Sequence, residues 1–221
     1  MKIIQLIQLS IPFIFLNISC EEVESKLNKV ILQEKIVKIG IQPFNNFDEA
    51  LSDSVKSVIK EIYGFEVIIL ESTDLPEDAY TNIKSPRYRA DSLLRYLRKI
   101  KPDSIDHILG LTEKDVSVTK TDIEGNIKKP EYKYKDWGVF GLAFRPGTSC
   151  IVSTFRIRSV QSKFIERFKK ICIHELGHNL GLKHCSSNDS CVMRDAAETI
   201  KTIDFVALNL CSTCKKEIGL K

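Results

Sequence analysis

The segment His174-Glu175-Leu176-Gly177-His178-Asn179-Leu180-Gly181-Leu182-Lys183-His184 carries three of the chain's four histidines in the pattern HExxHxxGxxH. Two histidines four apart on a helix lie on one face, one turn apart, so both rings reach one metal ion. Glu175 stands beside them, where a carboxylate can hold a water against that metal. Gly181 has no Cβ to clash at positive φ, so the chain can turn sharply out of the helix and bring His184 round as a third ligand. Three nitrogen ligands leave one zinc position open for water, as in catalytic sites. A helix carrying His and Glu by chance is the alternative. The correctly spaced glycine and third histidine weigh against it.

Cys185 follows His184 directly, then Cys191-Val192-Met193, and, seventeen residues after the methionine, Cys211-Ser212-Thr213-Cys214. Two arrangements of these four cysteines are open. In an exported protein they could form two disulfides. A Cys-x-x-Cys joined to two cysteines further upstream is also a common zinc-ligand layout, and the spacing favours that arrangement. Cys150 and Cys172 read as buried small hydrophobes, with a disulfide between them as the alternative.

From Ile173 to Cys214 the sequence resembles the archaemetzincin family of zinc metallopeptidases, within the metzincin clan. That family's pattern is the extended histidine motif, a Cys, four residues, Cys-x-Met, seventeen residues and Cys-x-x-Cys. One departure is present: five residues, 186–190, separate Cys185 from Cys191. The segments 108–115 and 139–144 also look like family strands. The resemblance implies a peptidase with two Zn2+ per chain, a catalytic ion on His174, His178 and His184 and a structural ion on Cys185, Cys191, Cys211 and Cys214. It implies that Met193 forms a tight turn under the histidines. It implies a peptide or protein substrate lying extended along an edge strand, here 139–144, through main-chain hydrogen bonds. Glu175 is then the general base, taking a proton from zinc-activated water and delivering it to the leaving amine. Arg194-Asp195 follow Met193, so no tyrosine stands where some metzincins carry a zinc-switching phenol. A catalytically inactive zinc-binding interaction protein of the cell envelope is the alternative function, and a metal-scavenging lipoprotein a third. Glu175 argues against the second reading, since a non-catalytic zinc has no use for it.

The N-terminus has its own character. Lys2 is a short positive region, 3–16 is apolar apart from two Gln and a Ser, and Asn17-Ile18-Ser19 precede Cys20. This looks like a lipoprotein signal peptide over 1–19, with Cys20 as the lipidated N-terminus. Asn17 replaces the usual leucine three before the cysteine. Simple secretion with Cys20 as an ordinary thiol is the alternative. The apolar run is shorter than the ~20 residues a membrane-spanning helix needs. Residues 20–35 are polar and charged and read as a tether. The expected location is the bacterial cell envelope, on a membrane through the N-terminal lipid.

The rest, 36–221, suits one metallopeptidase domain with a core large enough to stand without staples. The net charge is +4, with 33 basic residues spread among 29 acidic ones. No concentrated basic patch speaks for nucleic acid. A basic cluster from Arg87 to Lys101 reads as the solvated face of a helix. A monomer is expected. Apolar periodicity predicts strands at 36–41, 65–70 and 105–111, with helices at 47–63 and 88–100 between them and a loop at 73–87. This βαβαβ order implies parallel pairing with right-handed crossovers. A charged excursion over 120–135 precedes a hairpin of 138–144 and 150–156. A helix over 160–180 carries the histidines, with Ile165, Phe168, Cys172 and Leu176 as its apolar stripe, and Gly181 ends it. His107 reads as a structural residue of a strand. The fold class is therefore α/β (α+β): a mixed, mostly parallel sheet packed on helices, one of which bears the active site.

Overall fold

A computed structural model describes residues 36–158, 161–195 and 199–220, and Ile36–Lys221 forms one compact unit. The signal-like segment, the tether and Cys20 lie outside the described residues. In chain order the elements that build the site are β1 (Lys38–Pro43), α1 (Glu49–Tyr63), β2 (Glu66–Ile69), β3 (Tyr80–Thr81), β4 (Arg87–Arg89), α2 (Ala90–Ile100), β5 (His107–Thr112), β6 (Val116–Val118), α3 (Glu131–Tyr134), β7 (Trp137–Val139), β8 (Gly141–Ala143), β9 (Ser149–Ser153), α4 (Phe164–Asn179), α5 (Ile200–Phe205) and α6 (Ser212–Glu217). Among the described residues no helix is long and apolar enough to cross a membrane.

The main sheet has the order β2-β1-β5-β9-β8. Its first four strands are parallel, as the alternation of strand and helix patterns requires, and β8 closes one edge antiparallel to β9. Side chains alternate across a strand. Thus Ile39, Ile41, Leu109, Leu111 and Val152 pack with residues of α1 and α4, while Ile108 and Ile151 pack with Leu93, Leu94 and Leu97 of α2. Helices therefore cover both faces of the central strands. At the start of α1 the Asp48 carboxylate accepts a hydrogen bond from Leu51 N–H at 2.8 Å, and Gly64 closes the helix at φ 71°.

The structure departs from the sequence reading in several places, among them Arg87 and Arg89, which lie in β4 and not on the basic helix face. The run 138–144 is not one strand: β7 pairs with β6 in a second sheet, β3-β4-β6-β7, and the chain changes partner at Phe140 before β8 pairs with β9. Phe140 still belongs to the main ladder, since its carbonyl accepts from Ser153 N–H at 2.9 Å. An apolar run carries no mark of a change of partner. The supposed loop at 73–87 contributes β3 and the start of β4 to that second sheet. Its charges pair internally: Arg156 grips Asp115 with two 2.7 Å hydrogen bonds, and Arg87 reaches Asp115 and Asp136 at 3.2 and 3.3 Å. The second hairpin strand ends at Ser153, and Phe155–Ile157 form a 3-10 turn. On α4, Ile165 is exposed and Phe164 is buried in its place, beside Phe168, Cys172 and Leu176.

Candidate zinc centres and active-site cleft

α4 presents His174 and His178 one turn apart on the same face. The helix then stops through a Schellman closure: Leu182 N–H bonds Gly177 O at 3.0 Å and Gly181 N–H bonds His178 O at 2.9 Å, with Gly181 at φ 102°. The chain leaves the helix there and carries His184 back, so that one ring nitrogen from each of the three histidines lies within 4.8 Å of the others. The ring centroids are 4.6, 4.9 and 5.3 Å apart.

The far nitrogens of the two helical histidines are each held by a backbone carbonyl. His174 Nδ1 lies 2.8 Å from Val192 O, and His178 Nδ1 lies 2.7 Å from Leu182 O. A carbonyl only accepts, so both Nδ1 atoms carry the hydrogen and both Nε2 lone pairs face the common point. His184 Nδ1 stands 3.6 Å from the Asp195 carboxylate. Burial, reinforced by the neighbouring His178, lowers His174 to about 3, and burial lowers His178 as well. Neutral imidazoles are the form that binds a metal ion. Burial pushes the Glu175 carboxyl up to about 8, a direction that a dication beside it reverses.

The second cluster sits one residue further on. Cys185, Cys191, Cys211 and Cys214 are free thiols whose sulfurs all lie within 4.8 Å of one another. Cys185 and Cys211 are 3.7 Å apart, and Cys191 and Cys214 are 3.8 Å apart. A disulfide needs about 2.05 Å. Four sulfurs about 2.3 Å from one tetrahedral zinc stand about 3.8 Å from each other. The donor set therefore fits one zinc and not two disulfides. Burial pushes the Cys191 and Cys214 thiols up. At Cys185 burial acts against ionisation, but hydrogen bonds from Ser187 bring the thiol down to about 6. The extra residue in 186–190 is accommodated in a short exposed loop, where Cys191 N–H bonds Asn188 O at 3.2 Å.

One turn joins the clusters. Arg194 N–H closes on Cys191 O at 2.9 Å, and Met193 O accepts from Cys185 N–H at 2.8 Å. Within four residues that turn supplies one cysteine, the carbonyl that orients His174, and the buried Met193.

A cavity of about 400 Å³ opens above the histidines, lined by them, by Glu175 and by β8. The Leu142–Ile151 pair exchanges the ladder bonds, because Phe144 N–H reaches Ser149 O at 3.3 Å and Ser153 N–H reaches Phe140 O. The N–H and C=O groups of Gly141 and Ala143 therefore face the open sheet edge. Gly141 lies against Glu175; a Cβ there would come within 2.8 Å of the Glu175 Cγ and Oε1. The sequence reading missed Asn179. It is buried and donates to Phe144 O at 2.8 Å and Ser149 O at 2.9 Å, clamping the β8–β9 hairpin to α4. It also missed Asp195 as the partner of His184, and Tyr63, whose hydroxyl donates to Ile173 O at 2.7 Å. Asn179 follows His178 directly, but nothing in its spacing marks a clamp. His107 lies apart from the ligand set, with Nδ1 2.9 Å from Gly147 O, and Cys150 and Cys172 are buried free thiols.

Three imidazoles beside a buried glutamate, under an open strand edge, define a zinc-dependent metallopeptidase. The sequence model of peptidase family M54 matches residues 31–219. Archaemetzincin from Archaeoglobus fulgidus is 31% identical over 183 residues, covering 82% of this chain and 99% of that protein. Archaemetzincin from Natronomonas pharaonis is 28% identical over 190 residues, covering 81% and 98%. A crystal structure of archaemetzincin from Methanopyrus kandleri superposes with a TM-score of 0.67 at 28% identity, covering 83% of this chain and 94% of that one. The chain belongs to peptidase family M54, the archaemetzincin family.

Proposed function

We propose that the chain holds two zinc ions, a catalytic one on His174, His178 and His184 and a structural one on Cys185, Cys191, Cys211 and Cys214, and that Glu175 is the general base of peptide hydrolysis. The observation that carries this reading is the convergence of three imidazoles, two of them anchored through Nδ1, beside Glu175 beneath the open edge of β8. A three-histidine zinc supplies a Lewis acid that polarises a carbonyl and makes water acidic enough to give up a proton near neutral pH. Glu175 takes that proton and passes it to the leaving amine. β8 offers the outward N–H and C=O groups of Gly141 and Ala143 to an extended substrate, which fixes the scissile bond against Glu175. Asn179 keeps that edge in register with α4.

The four thiols have a different task. Their donor set is closed, with no position for water, so the ion they hold is structural. Export with lipidation at Cys20 belongs to the same proposal; it is supported by the signal-like segment before that residue. Glu175→Ala tests the catalytic assignment. The variant should keep zinc at both sites, measured by metal analysis, and should lose peptide hydrolysis by a factor of about 10² or more. Cleavage near the wild-type rate would sink it.

A further inference from the structure

We infer that Lys170 selects an acidic side chain on the substrate, so that this enzyme prefers peptides with Asp or Glu within about two residues of the scissile bond. The inference rests on the peptidase reading and names its substrate class.

Lys170 lies one helical turn before His174, on the face of α4 that carries the ligands, and it lines the cleft with His174 and Glu175. Its neighbours in the wall include Ile171, Val192, Ile203 and Val206. The residue is only 4% exposed, unusual for a lysine. An ammonium has three hydrogens to donate. Among the described residues its partner is Glu166 at 2.6 Å, and the side chain of Glu166 is 60% exposed. A carboxylate held so loosely by the fold can turn into water at little cost. An incoming carboxylate can then replace it against a cation that has nowhere else to go, in surroundings where charge-assisted bonds are strong.

The register puts this cation within reach of the reacting bond. Gly141 touches Glu175, and Asn179 bonds the carbonyl of Phe144. β8 and α4 therefore advance in the same direction, and Lys170 lies toward the Phe140 end of the cleft. Four residues of helix rise about 6 Å. An extended peptide advances about 3.3 Å per residue. A substrate strand along β8 thus brings a side chain about two residues from the scissile bond to Lys170. The other charges agree. Arg145 lines the opposite end of the cleft, and of the two lining carboxylates Glu175 is committed to the reaction and Asp195 to His184. A cleft so charged attracts acidic peptides and repels basic ones.

The test uses the zinc-loaded protein and paired fluorogenic peptides that differ only by Glu or Gln at each of the two positions on either side of the scissile bond. At one position the Glu peptide should have a kcat/KM about tenfold or more above its Gln twin. Lys170→Met should collapse that ratio toward one, and Lys170→Glu should invert it in favour of the Gln peptide. Glu166→Gln, with folding checked by its melting temperature, should raise the ratio by removing the competing charge. A ratio indifferent to both Lys170→Met and Glu166→Gln overturns the inference, as does cleavage by the wild type with no acidic preference; either result leaves the peptidase reading standing. Failure of the wild type to cleave any peptide overturns both.

Discussion

The sulfur of Met193 fills the space beside Gly177: a Cβ on that glycine would stand 2.4 Å from Met193 Sδ and 3.2 Å from the Tyr63 hydroxyl. Position 177 lies between the two helical histidines, on the flank of α4 that Met193 and Tyr63 cover. The methionine turn can press against the helix only because that side is bare. The same turn delivers Val192 O to His174 and Cys191 to the thiol cluster, so one contact sets the spacing between the histidine and cysteine clusters.

Gly177→Ala should accordingly damage the site more than the fold. Alanine stabilises a helix by about 1 kcal/mol over glycine. Overpacking a buried position costs about 1–3 kcal/mol. The two nearly offset, so the melting temperature should change little. The displaced turn withdraws Val192 O from His174, and loss of such an orienting bond typically weakens metal binding about 10–100-fold. Zinc titration against a chelator checks this. Wild-type affinity in the alanine variant would show that the contact does not position the ligand.

Cys214→Ser should act through structure. α6 is tied to the turn at 191–194 through the thiol cluster and through Val192 N–H, which bonds Asn209 O at 3.0 Å. A structural zinc contributes about 10 kcal/mol or more of apparent binding energy in small modules. A domain with a large core of its own should lose part of that, about 3 kcal/mol, or roughly 6–12 °C in melting temperature. One zinc should disappear from metal analysis, and activity should fall because Cys185 adjoins His184. Two zinc ions retained with an unchanged melting temperature would refute a structural zinc on these thiols.

The convergence of the histidines was legible in the sequence because ligand spacing on a helix is one-dimensional information: HExxH fixes a face and Gly181 a reversal. The four cysteines around Met193 left a zinc cluster and two disulfides both open, and only the fold brings their sulfurs to one point. The central strands and their parallel order were legible from apolar periodicity and from the succession of strand and helix patterns. The split at Phe140 was not, because a change of ladder partner is decided by two distant strands, β6 and β9. Asn179, Tyr63 and Asp195 were not legible either. Each acts through one contact with a segment remote in sequence or past a turn, and a lone polar residue has no period to betray it. Lys170 was readable only as a charge on a helix; it is buried beside a wall that includes Ile203 of α5 and Val206 just after it.

The proposed export and lipidation can be tested at Cys20. Expressed with its native N-terminus in a bacterium, the protein should partition into detergent and take up a fatty-acid label, and Cys20→Ala should abolish the label. Two acyl chains give stable residence because each buried methylene contributes about 0.8 kcal/mol. Unlabelled, freely soluble protein cut at another residue would refute lipidation and leave the peptidase untouched.

The wall beside Lys170 should also give the enzyme an acid limit distinct from its catalytic groups. α5 is held to α4 by Arg167, which is 3% exposed and grips Asp204 with bonds of 2.7 and 2.8 Å, while Lys163 reaches the same carboxylate at 3.2 Å. Hydrogen bonding to Arg167 holds the Asp204 carboxyl down to about 2. A carboxyl lowered on folding adds stability that is complete above its ordinary value near 4 and is lost as pH falls through its folded value. The pair should therefore contribute about 2 kcal/mol at neutral pH, decaying between about pH 4 and pH 2. Asp204→Asn strands the Arg167 charge and should cost about 3 kcal/mol at pH 7. Its stability should then change less with pH across that window than the wild type's. Denaturant unfolding of both proteins at pH 7, 4, 3 and 2 reads the difference directly. Parallel curves over the acid range would show that Asp204 does not titrate as the clamp requires.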